Sequence, residues 1–119
     1  MHEVSMIKKI VELTLQQIEE HHAEFASVIC VSMTVSDHLN ESSVQSLFTS
    51  LAAHTPAEHA QLAIHWNPAV YQCATCGMQS SVWEYVPYTD CLVCGKMALP
   101  RTQAHEWSFD SIVLAGGAE

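Results

Sequence analysis

The sequence predicts an α+β fold: a small mixed sheet with two helices, into which a four-cysteine, zinc-ribbon-like module is inserted. Three observations indicate it. Two segments have helical period, three have strand period, and a doubled cysteine motif lies between the last two strands. At 119 residues, 49% of them apolar, the chain is long enough for one modest domain plus a small metal-stapled module.

The two helices are predicted from apolar residues that recur at steps of three and four. Residues 3–21 form the first, with a stripe of Val4, Ile7, Val11, Leu15 and Ile18 and with Ile10 beside it. Residues 40–54 form the second, with a stripe of Val44, Leu47, Phe48, Leu51 and Ala52. Ser42 followed by Gln45 resembles a capping box, so we expect the second helix to begin there.

The three strands are predicted from alternation of apolar and polar residues in residues 27–36, 61–66 and 106–115. The third strand follows the cysteines, and so apolar a strand needs a sheet to pair with. The simplest sheet for it is the one begun by the first two strands. The cysteine module is therefore expected to be inserted between strands of an α/β domain rather than appended to it.

Charge distinguishes the expected parts, which are a discontinuous domain of residues 1–69 and 105–115, a module of residues 70–104, and a flexible tail of residues 116–119. Residues 1–69 hold two lysines and eight carboxylates, a net charge of −6, whereas residues 70–105 hold two of each sign. The whole chain carries −9, which argues against nucleic acid and anionic membranes as partners.

The expected location is the cytoplasm. The chain opens with an acidic amphipathic segment instead of a signal peptide, and no apolar run reaches transmembrane length. In a reducing compartment, paired cysteines more often bind a metal than form disulfides.

The cysteine motif reads C-x2-C-x14-C-x2-C and comprises Cys73, Cys76, Cys91 and Cys94. A glycine follows each pair, and glycine tolerates the left-handed backbone that such a turn needs. Four thiolates complete a tetrahedron, as in structural zinc sites, so no position is left for a catalytic water. Zinc is favoured over iron, because rubredoxin-like chains usually separate their pairs more widely and lack a large second domain.

The other candidate ligands receive structural interpretations. Cys30 stands alone in a strand and is expected to be a small packing residue. His21 and His22 end a helix, where a cationic ring suits the negative end of the dipole. Four internal histidines have no partner at ligand spacing and are expected to be polar surface groups: His38, His54, His59 and His65.

The N-terminal Met-His-Glu sequence can chelate a metal. A position-2 histidine alone is commonly incidental, but the Met1 amine, the His2 amide and the His2 ring form fused chelate rings in one plane. The Glu3 amide nitrogen or an outside ligand can complete a square. Ni(II) and Cu(II) prefer planar nitrogen coordination, and zinc does not.

Taken together, the MHE start, the doubled four-cysteine knuckle and the acidic α/β frame resemble the HypA/HybF family of nickel-insertion metallochaperones. The resemblance covers the whole chain and includes "MHEVSMIKKIVELTLQQI", "VICVSMTV" and "HEWSFDSIVL". It implies a non-enzymatic nickel carrier in [NiFe]-hydrogenase maturation, with nickel at Met1, His2 and Glu3 and zinc at the four cysteines. The implied partners are the nickel-handling GTPase HypB and the hydrogenase large-subunit precursor; some relatives also serve urease.

Two other classes remain as alternatives. A zinc-ribbon adaptor or nucleic-acid-binding module fits the cysteines, although the whole chain has only four basic residues. A rubredoxin-like iron electron carrier would be visibly red. The expected assembly is a monomer or a weak homodimer.

Overall fold

The computed structural model describes residues 2–36, 39–84, 86–101 and 106–116. In chain order the elements within these ranges are α1 (His2–Glu20), β1 (Phe25–Thr34), α2 (Glu41–Ala52), β2 (Gln61–Asn67), β3 (Ala69–Cys73), β4 (Gln79–Val82), β5 (Thr89–Asp90), β6 (Met97–Pro100) and β7 (Trp107–Ala115). The predicted α+β class is confirmed. Neither helix in the described ranges is long and apolar enough to cross a bilayer.

The first sheet has three strands in the order β2-β1-β7. The central strand β1 runs parallel to β2 and antiparallel to β7. Two parallel neighbours need a crossover connection, and α2 supplies it. The prediction that the three alternating segments share one mixed sheet is therefore confirmed, although the last of them follows the cysteines.

Both helices pack on one face of this sheet and form the main core. From β1, Ile29, Val31 and Met33 contribute to this core, as the alternation predicts. In α1 the buried face is centred on Ile7 and Ile10, both without exposed surface. Ile10, expected only beside the apolar stripe, therefore lies at its centre.

The start of α2 differs from the prediction. The N-cap is Asn40, whose side chain accepts a hydrogen bond from the Ser43 amide at 2.9 Å, and Ser43 Oγ accepts one from the Asn40 amide at 3.3 Å. The capping box predicted at Ser42 and Gln45 is wrong. Gln45 instead donates a hydrogen bond to the Leu62 carbonyl, so its side chain joins α2 to β2.

The second sheet contains the four strands that lie between β2 and β7 in the sequence, in the spatial order β4-β3-β6-β5 and antiparallel throughout. It has a separate small core of Ala69, Tyr71, Cys73, Cys91 and Ala98. Two backbone hydrogen bonds tie the end of β1 to the segments that flank this sheet, from Val35 to Asn67 and from Thr34 to Glu106, both 2.9 Å. The Cα radius of gyration is 17.7 Å, against about 13.5 Å for a compact domain of this length.

Candidate metal centre

Each cysteine pair lies on a tight turn at one end of a strand. In the first turn the Gly77 amide donates to the Cys73 carbonyl at 2.9 Å, and the Gly95 amide does the same to Cys91 at 2.9 Å. Gly77 and Gly95 have φ angles of +78° and +76°, which residues with a side chain rarely adopt. A Cβ atom at either glycine would meet open space, so backbone conformation rather than crowding requires the glycine.

The two turns bring all four sulfurs together. Cys73 Sγ lies 3.4 Å from Cys94 Sγ, Cys76 Sγ lies 3.6 Å from Cys91 Sγ, and all four atoms are within 4.8 Å of one another. A disulfide requires about 2.05 Å, and all four cysteines are free. Four sulfurs at about 2.3 Å from a central metal would be about 3.8 Å apart. The arrangement therefore fits a tetrahedral metal ion.

Backbone amides polarise the site unevenly. The Cys76 amide is the largest cause that lowers the pKa of the Cys73 thiol to about 6, and the Cys94 and Val93 amides lower the pKa of Cys91. At Cys94 the Lys96 amide acts to lower the pKa, but the Cys73 side chain, burial and the other two cysteines outweigh it and raise the pKa to about 12. The cluster therefore contains thiols with lowered pKa values and thiols with raised ones. A bound cation would stabilise the thiolate form of all four.

The donor set decides what this centre can do. Cys73 and Cys91 are buried, while Cys76 and Cys94 are exposed, so the metal would lie at the module surface. Zinc and iron both suit a tetrahedron of thiolates. Since all four positions are taken by sulfur, the centre has no open position at which to activate water.

The predicted nickel ligands lie at the start of α1. Met1 and the side chain of His2 lie outside the described residues. His2 is the first residue of α1, and Glu3 is half-buried in the first turn of that helix. Glu3 has the helical backbone expected of the predicted first helix.

The other candidate ligands include Cys30 and three of the internal histidines. Cys30 is half-buried on β1, opposite Ala63 and Ser111, and does not belong to the four-cysteine cluster. His38 lies outside the described residues. His54 and His59 are exposed polar groups, as expected, and Glu58 lies beside both of them. Their spacing of four and one residues around Glu58 was the signal that the sequence offered.

A two-sheet α+β frame with a four-thiolate centre defines a class of small metal-binding proteins. The family model for hydrogenase/urease nickel incorporation metallochaperones, HypA, matches residues 1–114. The chain therefore belongs to the HypA family.

Curated relatives agree with this assignment. The hydrogenase maturation factor HypA of Legionella pneumophila (strain Corby) is 27% identical over 114 residues, covering 96% of this chain and 99% of the relative. HypA of Methanosarcina mazei is 28% identical over 113 residues, with 82% of each chain covered.

Two solved structures share the fold. The nickel metallochaperone HypA from Helicobacter pylori superposes with a TM-score of 0.61 at 17% identity, over 96% of this chain and 97% of that one. A second solution structure of a HypA protein gives 0.63 at 20% identity, with 96% of both chains covered.

Proposed function

We propose that this protein is a non-enzymatic carrier of Ni(II) that binds the ion at its N-terminus and delivers it during maturation of the [NiFe]-hydrogenase active site. The observation that supports the proposal is the match of a nickel-incorporation family over residues 1–114, which includes the Met-His-Glu start. Nickel is the cargo of this protein, so the site must bind Ni(II) in preference to Zn(II) and must still release it.

The ligands proposed for nickel are the Met1 amine, the His2 amide and ring, and the Glu3 amide nitrogen. An α-helix leaves its first four amides without partners inside the helix. Since α1 begins at His2, the His2 and Glu3 amides are outside the hydrogen-bonded ladder of the helix. A planar set of nitrogens selects Ni(II) or Cu(II) over zinc by geometry, because raw affinity alone does not favour nickel.

The metal proposed for Cys73, Cys76, Cys91 and Cys94 is zinc in a structural role. A closed thiolate site crosslinks the two turns of a module whose core is small. In this proposal residues 1–69 and 105–115 form the nickel domain, residues 70–104 form the zinc module, and the remaining residues form a tail. The two sheets and their separate cores support this division, except that Ala69 begins β3 and lies in the core of the module.

The proposed partners are the GTPase HypB and the hydrogenase large-subunit precursor, met in the cytoplasm. The acidic first domain is the surface we propose for recognition. Glu12, Glu19 and Glu20 on α1 are exposed candidates. Long-range electrostatic attraction to this acidic surface would raise association rates and would weaken with added salt.

The test uses two changes at the N-terminus of untagged, zinc-loaded protein. His2→Ala removes the ring. Acetylation of the Met1 amine keeps every side chain but converts the amine into an amide. Both should abolish the absorption spectrum of square-planar, diamagnetic nickel and leave the zinc content unchanged. Glu3→Gln should have little effect if Glu3 binds through its backbone nitrogen.

The pH dependence provides a second readout. Binding should weaken below about pH 7, because the amine and the imidazole must both lose their protons. If the acetylated protein bound nickel as tightly and with the same spectrum, the role assigned to Met1 would be wrong.

A further inference from the structure

The turn between α2 and β2 carries a second group of metal-ligating side chains, His54, Glu58 and His59. The Glu58 carboxylate lies between the two imidazoles: His59 Nε2 is 3.2 Å from its Oε1 atom, and His54 Nδ1 is 4.0 Å from its Oε2 atom. These three residues are far in sequence from the cysteines and do not belong to the centre described above.

The backbone of the turn holds the carboxylate in place. The His54 amide donates to Glu58 Oε2 at 2.6 Å, and His54 has a left-handed φ angle of +64°. The Glu58 amide donates to the Thr55 carbonyl at 3.0 Å. Ala57 is fully buried, and the Pro56 carbonyl accepts a hydrogen bond from Ala26 at 3.2 Å. The carboxylate therefore projects from a turn that is anchored in the core.

The two imidazoles are free to adjust. The His54 side chain is 97% exposed and the His59 side chain 89%, whereas Glu58 is 35% exposed. Nitrogen and oxygen ligands lie about 2.0–2.2 Å from a zinc-like ion, so two ligands of one ion can be up to about 4.2 Å apart. Both nitrogen–oxygen distances fall within this limit, each measured to a different oxygen of the Glu58 carboxylate. Because both rings are exposed, rotation about their side-chain bonds would bring both nitrogens onto one ion held by Glu58.

We infer that His54, Glu58 and His59 form a second site for a divalent transition-metal ion of the imidazole-binding class, Ni(II), Cu(II) or Zn(II). Two imidazoles and one carboxylate are ligands that suit these ions, and the exposure leaves the remaining positions to water. A site with three protein ligands and water exchanges its ion more readily than a closed thiolate centre does.

The site is remote from the start of α1. Strands β1 and β2 are parallel and start at the same end of the sheet. The turn before β2 therefore lies at the end where α1 finishes and β1 begins. A helix of 19 residues is about 28 Å long. The N-terminal chelate proposed above would be at the other end of that helix, so this inference does not rest on the proposed function.

The experiment uses full-length ¹⁵N-labelled protein with its cysteine centre saturated with zinc. This parent protein also carries His2→Ala, which removes the ring of the N-terminal chelate. Ni(II) added below one equivalent binds nitrogen and oxygen ligands as a paramagnetic ion, which broadens nearby amide signals. We expect broadening concentrated on residues 54–60. With nickel in excess, equilibrium dialysis should count one bound ion.

Three variants identify the ligands. His54→Asn removes a ring but keeps a residue that tolerates positive φ. His59→Ala removes the other ring, and Glu58→Gln removes the charge while keeping a hydrogen-bond acceptor. A group that merely supports a metal ligand contributes roughly 10- to 100-fold in affinity, so each loss should weaken binding at least about tenfold. His65→Ala, on β2, is the matched control and should bind as the parent does.

The inference is overturned if broadening spreads evenly over the exposed histidines, or if the double variant His54→Asn/His59→Ala binds nickel as tightly as the parent. Circular dichroism on each variant checks that the fold is intact. Failure of the N-terminal test in the preceding subsection would leave this result unaffected, because the His2 ring is absent throughout.

Discussion

The Sγ atoms of Cys73 and Cys94 lie 3.4 Å apart, although 21 residues separate them in the sequence. The other cross pair, Cys76 and Cys91, lies at 3.6 Å. Each close pair joins one turn to the other, so one metal ion would connect the end of β3 to the segment between β5 and β6. The core beneath these turns consists of a few small residues around Tyr71, which makes the crosslink a large share of the stability of the module.

Cys91→Ser should abolish metal binding at the cysteines and disorder the second sheet. Three ligands remain, but a closed tetrahedral site loses its geometry. Structural zinc contributes on the order of 10 kcal/mol to folding near pH 7. Metal analysis and ¹⁵N spectra should show lost zinc and collapsed dispersion for residues in β3 to β6, while signals from α1 and β1 persist. Cys30→Ser is the control and should keep its zinc; an unchanged zinc content in Cys91→Ser would refute the assignment.

Zinc binding to metal-free protein should release fewer than four protons at about pH 7.5. The Cys76 amide, in the same turn, is the main cause that lowers the pKa of Cys73 to about 6. This thiol is therefore already ionised where that turn forms, even when the second sheet is disordered. When the pH falls through the Cys73 pKa, about one more proton must be released and affinity should drop more steeply. Calorimetry in buffers of different ionisation enthalpy measures this number. Release of four protons both at about pH 7.5 and below the Cys73 pKa would mean that the metal-free thiols have ordinary pKa values.

Tyr71→Phe should loosen the segment between β4 and β5. The buried Tyr71 hydroxyl donates to the Val86 carbonyl at 2.6 Å and accepts from the Val86 amide at 2.7 Å. Without the hydroxyl both backbone groups lose this partner, at a cost of roughly 1–3 kcal/mol. Urea unfolding of the zinc-loaded protein and faster hydrogen exchange at Val86 should report the loss. Tyr88→Phe is the control, because Tyr88 is largely exposed; equal effects of the two substitutions would show that the paired hydrogen bonds contribute nothing.

The parts of the fold predicted from the sequence are those with a long periodic signal. β1 and β7 are ten and nine residues long, so alternation could show in each of them. β4 and β5 have four and two residues, too few for any period to register, and pairing with β3 and β6 defines them. The convergence of the cysteines was predictable, because two residues between thiols in each turn already fix how a pair can chelate.

What the sequence did not reveal depends on backbone conformation at single residues. Glu58 reaches His54 because His54 adopts a left-handed φ of +64° at the end of α2. Histidine is not a residue that marks such a position, unlike the glycines of the cysteine turns. The nickel ligands proposed at Met1 and His2 rest on chelate chemistry and family membership, and they stay a prediction.

The first turn of α2 offers a direct comparison between the predicted and the observed cap. Asn40 accepts a hydrogen bond from the Ser43 amide, whereas Ser42 is an exposed residue of the first turn. Asn40→Ala should therefore destabilise the protein by about 1 kcal/mol, and Asn40→Gly by only a few tenths, because glycine is tolerated at an N-cap. Ser42→Ala should be nearly neutral, since alanine is the better helix former. Urea midpoints at constant m-value measure all three; a larger loss for Ser42→Ala than for Asn40→Ala would place the cap at Ser42 after all.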